Sequence, residues 1–298
     1  MKSRIVFFIV LISCIFISPQ AKAQPYKGLY VDGFDKILGK RPLEDQLLNY
    51  CKKNGFNALC TYKTKDIEKQ IQISNPKTGG KILASFIKRA KQQFGIISFA
   101  MSSEQYDTFN TIIAKYNRTR TDTIERVNVL NFEFEYWNRK STAPGGYYCT
   151  RYLTPANCSC DTSGAFKFYR VQMFKIDSLA QALGIKSEVY VGKPSRGQAK
   201  VIANTVDRIL VDVYLKNPEK AYDRAQERLQ SFAAVSKKVT IIPIWGSTDE
   251  FLGEWQQVHA QDEANKIFLD EYNAKKTELL KNINISGFQW YKYSTMKK

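Results

Sequence analysis

Two acidic side chains stand close together in an otherwise apolar stretch, Val127–Trp137 (VNVLNFEFEYW). Its Val, Phe, Tyr and Trp residues are typical of a β-strand. Alternate residues of a strand point to the same face, so Asn131, Glu133 and Glu135 share one side. Carboxyl groups two residues apart lie about 6.6 Å apart. If they are partly desolvated, they resist ionising together and one pKa rises, as a general acid requires near neutral pH.

The carboxyl pair therefore predicts acid–base chemistry. The alternative is a buried pair neutralised by a basic side chain from a neighbouring strand, and the strand-like segments offer Lys186, Arg208 and Lys292 for that purpose.

Other reaction classes lack the residues that they need. His259 is the only histidine, so a second histidine for a zinc protease is missing. A Ser-His-Asp triad would depend on His259, which has no nucleophile elbow near it, and we expect it to be a surface residue. Cys158 and Cys160 alone are too few for a zinc site. We therefore expect neither a metal nor a cofactor.

Eight strand-like segments alternate with seven helix-like segments, an order that favours parallel pairing. Their count and the chain length predict a single-domain (β/α)8 TIM barrel. The alternative is a doubly wound open sheet, but the first strand lacks the glycine-rich turn of that fold. In a barrel, Asn131, Glu133 and Glu135 would point inward and rise toward the catalytic end. The strand-like segments are 28–34, 56–62, 96–101, 127–137, 185–192, 207–215, 237–247 and 285–294.

The longest connection, at about 139–164, follows the fourth strand. In a barrel it would lie at the C-terminal face, where active sites are built. Its tyrosines, together with Trp137 just before it, could stack on sugar rings or simply pack the loop. We predict that Cys149 pairs with Cys158 or Cys160 and that this insertion roofs a cleft.

The N-terminus predicts export. Lys2 and Arg4 precede the 13-residue apolar segment Ile5–Ile17, and a small-residue cleavage site follows, so we predict a signal peptide at 1–23 cleaved after Ala23. The predicted mature barrel domain, 24–298, should be secreted or periplasmic, without a transmembrane segment. Because residues 1–23 carry three basic and no acidic residues, the net charge of +17 falls to +14. Basic residues are spread along the chain, so we expect a solvated surface and no nucleic-acid partner.

The fourth strand resembles that of glycoside hydrolase family 18, which includes chitinases and endo-β-N-acetylglucosaminidases. The family motif D-x-x-D-x-D-x-E reads NVLNFEFE here, so only the final acid, Glu135, is unchanged. The resemblance implies a (β/α)8 barrel in which Glu133 and Tyr214 hold the substrate acetamido group. Further substrate-binding residues would be Asn131, Asp212, Trp290, Trp245 and Trp137.

The resemblance also implies a mechanism, substrate-assisted retaining hydrolysis of N-acetylglucosamine-containing glycans. Glu135 would protonate the glycosidic oxygen while the acetamido oxygen attacks the anomeric carbon, and Asn131 would hydrogen-bond Glu133. The partner would be an N-acetylated oligosaccharide or a glycoprotein glycan. The alternative is an inactive barrel that binds glycan or serves as a cell-envelope interaction partner, because three of the four motif positions differ.

Overall fold

The computed structural model describes residues 24–297, so the predicted signal peptide lies outside the described residues. The strands are β1 Tyr26–Val31, β2 Ala58–Thr61, β3 Ser98–Ser103, β4 Val129–Phe132, β5 Lys186–Val191, β6 Arg208–Asp212, β7 Val239–Gly246, β8 Ile283–Ile285 and β9 Gly287–Tyr291.

Helices connect successive strands and cover the outside of the sheet. They are α1 Phe34–Ile37, α2 Arg41–Asn54, α3 Thr64–Ile71, α4 Gly79–Phe94, α5 Tyr106–Thr108, α6 Lys115–Arg118, α7 Arg139–Thr142, α8 Thr162–Leu183, α9 Arg196–Thr205, α10 Ala221–Ala233, α11 Trp255–Val258 and α12 Glu263–Lys275. Short π-helical turns lie at Phe109–Ala114 and Cys149–Leu153, and 3-10 turns at Thr123–Glu125, Pro218–Lys220, Glu278–Asn282 and Tyr293–Thr295.

All strand pairings are parallel and the sheet closes on itself. Strands β1 to β7 pair in sequence order, β7 pairs with β9, and β9 pairs with β1. The short strand β8 pairs with β7 alone among the described strands, so β8 and β9 together occupy the eighth strand position of the barrel. The predicted single-domain (β/α)8 barrel is therefore confirmed.

The barrel closes at a seam between β1 and β9, where Tyr26 lies opposite Gly287 and Leu29 lies opposite Trp290. Gly287 has a φ of 143°, and a Cβ atom on it would lie 1.8 Å from the Tyr26 carbonyl oxygen. Only glycine fits this conformation and this close approach.

The strands are apolar on both faces because each face is covered, as is typical of a parallel sheet. One face packs against the helices through side chains such as Leu29, Phe99, Phe132 and Val211. The other face fills the barrel interior with smaller clusters that include Ala58, Leu210 and Ile242.

The interior also holds a charged pair that sequence patterns did not assign. Glu188 on β5 lies directly opposite Arg208 on β6, and the two side chains form a buried ion pair. The Arg208 guanidinium lies 4.3 Å from the ring centroid of Tyr26, whose hydroxyl donates to Gln289 at 2.7 Å. This polar layer crosses the barrel below its C-terminal end.

The loop after β4 contains a disulfide between Cys149 and Cys160, with an S–S distance of 2.05 Å. The prediction that Cys149 pairs within this loop is confirmed, and Cys160 is its partner. Within residues 24–297, no helix is both long and apolar enough to cross a membrane.

Candidate active site

The two acidic residues follow β4, which is shorter than we predicted. The strand ends at Phe132, and the Glu133 amide then donates to the carbonyl of Ser103 at 3.0 Å. Side chains keep alternating beyond this point: Phe134 packs outward against Phe168, whereas Glu133 and Glu135 are half-buried on the opposite side. Both carboxyl groups therefore emerge at the C-terminal end of the barrel.

Glu133 is held by two hydroxyl groups from neighbouring strands. Its Oε2 atom lies 2.6 Å from the Tyr30 hydroxyl of β1 and 2.8 Å from the Ser102 hydroxyl of β3. Burial raises the pKa of Glu133 from its ordinary value of 4.5 to about 7, and the negative charges of Glu135 and Glu104 act in the same direction. The carboxyl with the raised pKa is thus Glu133, and burial rather than pairing is the main cause.

Glu135 lies closer to the connecting loop. The Asn138 side-chain amide donates to its Oε2 atom at 3.0 Å, and its own backbone amide donates to the Tyr148 hydroxyl at 3.4 Å. Asn138 also caps the short helix α7. Its bond orients the Glu135 carboxyl, which stays half-exposed at the rim.

Asn131 lies deeper and does not make the contact that we predicted. It is fully buried, its amide nitrogen donates to Glu188 at 2.7 Å, and its oxygen lies 3.1 Å from the Tyr30 hydroxyl. Asn131 therefore reaches Glu133 only through Tyr30.

The end of β6 brings Tyr214 to the same region. Its ring stacks on Phe251 at 4.8 Å and lies 6.2 Å from the ring of Tyr291. Burial raises the pKa of Tyr214 well above its usual value, so it is a neutral hydrogen-bond donor. Asp212 is instead engaged by Arg228 of α10, which bonds both its carboxylate and its carbonyl.

The placement that we predicted for Trp290 and Trp245 is wrong. Both side chains are fully buried in the outer layer between barrel and helices. The Trp290 indole donates to the carbonyl of Gln261, and Trp245 packs against Phe268. The next residue, Tyr291, points into the barrel because side chains alternate along β9.

Trp137 does face the candidate site. Its ring lies 5.5 Å from that of Tyr190 and packs against the backbone of Gly192, where a Cβ atom would lie 2.4 Å from the indole nitrogen. This glycine admits the tryptophan at the end of β5.

The loop after β4 contributes one wall of the candidate site. The hydroxyls of Tyr147 and Tyr152 both donate to Glu104, which follows β3. Tyr147, Arg151 and Glu104 line a cavity of about 310 Å³ that extends to Ser102, the residue that holds Glu133. Through Ser102 the cavity lies one residue away from Glu133.

Sequence patterns missed Tyr30, Ser102, Glu104 and Tyr291. Each lies at or just after the C-terminal end of a strand, which is the signal that could have identified them. Within the described part of the chain, no group of three or more His, Cys, Asp or Glu residues is placed to hold a metal ion.

No model of a known protein family matches the chain, and no protein of curated function matches it. Among solved structures, a family 18 chitinase from Pseudoalteromonas aurantia is 9% identical with a TM-score of 0.51, covering 91% of this chain and 94% of that one. A β-glucosidase from Exiguobacterium marinum is 10% identical with a TM-score of 0.51, covering 83% and 77%. At such low identities, the structural likeness shows a common TIM-barrel fold alone.

Proposed function

We propose that this chain is an exported glycosidase that hydrolyses N-acetylglucosamine-containing glycans. One observation carries the proposal: the carboxyl groups of Glu133 and Glu135 both lie at the C-terminal end of a (β/α)8 barrel, the face on which TIM-barrel enzymes perform their chemistry. The aromatic side chains of Tyr214, Tyr291 and Trp137 pack against the interior cluster of the same barrel and offer surfaces for sugar rings.

The environments of the two carboxyl groups suit different tasks. Glu135 is at the rim, where it can reach a glycosidic oxygen and protonate it as general acid. Glu133 is deeper and tied to Tyr30 and Ser102, a position suited to holding an acetamido group. Tyr214, as a neutral donor, would bind the same group while the acetamido oxygen attacks the anomeric carbon.

The motif, the fold, the predicted signal peptide and the disulfide also support this proposal. The motif around Glu135 resembles that of glycoside hydrolase family 18, and the chitinase and the β-glucosidase share the fold. The predicted signal peptide and the Cys149–Cys160 disulfide both suit an oxidising compartment outside the cytoplasm.

The test is hydrolysis of a panel of N-acetylglucosaminyl substrates by residues 24–298. We expect turnover by the parent protein and a loss of roughly 10²–10⁴-fold in Glu135→Gln, because the amide keeps the shape but has no transferable proton. Glu278→Gln is the matched control, since its side chain is 84% exposed on the 3-10 turn Glu278–Asn282. It should retain full activity.

Binding measurements with the same glycans separate the outcomes. Unchanged affinity in Glu135→Gln together with lost turnover would support the glycosidase proposal. Glycan affinity without turnover in the parent protein would favour a glycan-binding barrel. Neither binding nor turnover would overturn both and favour a cell-envelope protein partner.

A further inference from the structure

A chain of buried polar groups leads from β6 to Glu133. Arg208 pairs with Oε2 of Glu188, and Oε1 of Glu188 accepts a hydrogen bond from the Asn131 amide nitrogen at 2.7 Å. The Asn131 oxygen lies 3.1 Å from the Tyr30 hydroxyl, which lies 2.6 Å from Oε2 of Glu133. Asn131 and Glu188 are fully buried, so their polar atoms depend on one another.

The ion pair fixes the orientation of the asparagine. Glu188 faces the Arg208 guanidinium as a carboxylate, and a carboxylate only accepts hydrogen bonds. Asn131 must therefore present its amino group to Glu188 and its carbonyl oxygen to Tyr30. The carbonyl oxygen in turn needs a donor, because no water reaches a fully buried atom.

The Tyr30 hydroxyl has one proton and two neighbouring oxygens to satisfy. If Glu133 is ionised, it keeps a donor in Ser102, whereas the buried Asn131 oxygen relies on Tyr30. The Tyr30 proton then goes to Asn131, and no proton bridges the 2.6 Å contact between the Tyr30 oxygen and Oε2 of Glu133. If Glu133 carries a proton on Oε2, that proton goes to the Tyr30 oxygen and the Tyr30 proton goes to Asn131. The Asn131 oxygen then has a donor, and a proton bridges Tyr30 and Glu133.

We propose that Arg208, Glu188, Asn131 and Tyr30 form a directional hydrogen-bond relay that keeps a proton on Oε2 of Glu133. All four are positioning residues, since they act through Glu133. The role of the relay in catalysis rests on the proposed function. With the Glu133 proton directed to Tyr30, Oε1 of Glu133 stays an acceptor for the N–H of an acetamido group.

Neighbouring charges favour a neutral Glu133, whereas the hydrogen bond from Ser102 favours the ionised form. The titratable and charged side chains that act on it or respond to its charge are Tyr30, Cys60, Tyr62, Glu104, Glu135, Tyr148, Tyr190, Tyr214 and Tyr291. The negative charges of Glu104 and Glu135 oppose a second negative charge on Glu133. Ser102 donates to Oε2 in either state of Glu133.

The test is a ¹³C NMR titration of glutamate-labelled protein, in which Glu133→Gln identifies the Glu133 resonance. Asn131→Leu removes the acceptor while filling the space, so the Tyr30 proton becomes available to ionised Glu133. We expect the pKa of Glu133 to fall by about one unit. Asn128→Leu is the matched control. Its side-chain amide bonds the backbone of Phe99 in β3 and of Ile97 just before β3, so the pKa of Glu133 should not move.

A second variant keeps the test decisive if Asn131→Leu does not fold. Tyr30→Phe removes the hydroxyl, and the relay predicts no rise in the pKa of Glu133. A rise of a unit or more would mean that Tyr30 donates to ionised Glu133, which overturns the relay, as would an unchanged pKa in folded Asn131→Leu. Neither readout needs turnover, so a protein without hydrolytic activity could still confirm the relay.

Discussion

Replacing Glu133 by glutamine should stabilise the barrel at alkaline pH and not at acidic pH. Burial raises the pKa of Glu133 to about 7 in the folded chain, against 4.5 as its ordinary value. A carboxyl with a raised pKa binds more protons in the folded state than in the unfolded state between these values. The free energy of unfolding therefore declines as the pH rises from about 4.5 to 7, and the loss persists above pH 7.

The size of the effect follows from the two pKa values. Between pH 5 and pH 8.5 the Glu133 carboxyl should lower the free energy of unfolding by at most about 2.5 kcal/mol, at 1.36 kcal/mol per pKa unit. Because the side chain is half-buried, solvent screening reduces this figure, and we expect about 1–2 kcal/mol. Glutamine keeps the shape and stays uncharged, and its amide can donate to Tyr30 in place of the protonated carboxyl.

The measurement is urea unfolding of the parent protein and Glu133→Gln at both pH values, followed by circular dichroism. The difference between the two proteins isolates Glu133 from the other titrating groups. Glu278→Gln, at an exposed position, should track the parent at both pH values. An equal stability difference at pH 5 and pH 8.5 would refute the reasoning, because it would mean that Glu133 ionises as freely in the barrel as in the unfolded chain.

Three further predictions concern the interior, the loop and the outer layer. Glu188→Leu should cost about 3–5 kcal/mol in urea unfolding because it leaves Arg208 buried without its partner, and a change below 1 kcal/mol would contradict the buried pair. Cys160→Ser, which breaks the bond to Cys149, should lower the free energy of unfolding by about 2–3 kcal/mol under non-reducing conditions, whereas a reductant should remove the difference between the two proteins. Trp290→Phe should lower the melting temperature while leaving glycan affinity unchanged, and a selective loss of affinity would return Trp290 to the site.

The barrel and the carboxyl pair could be predicted because both rest on local patterns. Alternation of strand-like and helix-like segments indicates parallel pairing, and period-two alternation places Glu133 and Glu135 on one side of their segment. The structure keeps that alternation even though β4 ends at Phe132. The two glutamates share one side as predicted, whereas the predicted length of the strand was wrong.

The aromatic on β9 could not be predicted in the same way. Trp290 and Tyr291 are neighbours, and only one of them can face the interior. Both faces of the strand are buried, so polarity does not reveal the register. The seam decides it: Gln289 faces the interior to meet Tyr26, which puts Tyr291 inside and Trp290 outside.

The relay could not be predicted without knowing which strands are neighbours and in what register they pair. Glu188 and Arg208 are 20 residues apart and face each other only because β5 and β6 pair in the observed register. Tyr30 and Asn131 are 101 residues apart and meet across the barrel interior. Neither contact leaves a pattern in the local sequence.

The seam between β1 and β9 also governs when the barrel can form. Tyr26 and Gln289 are hydrogen-bonded although 263 residues separate them. The sheet therefore closes only after the last strand has paired with the first. Until then β1 presents an unpaired edge, which is a template for association with other chains. Contacts of such long sequence separation also slow folding. A chain that lacks β9 would leave edges at both β1 and β7, and we expect it to aggregate rather than to form a smaller barrel.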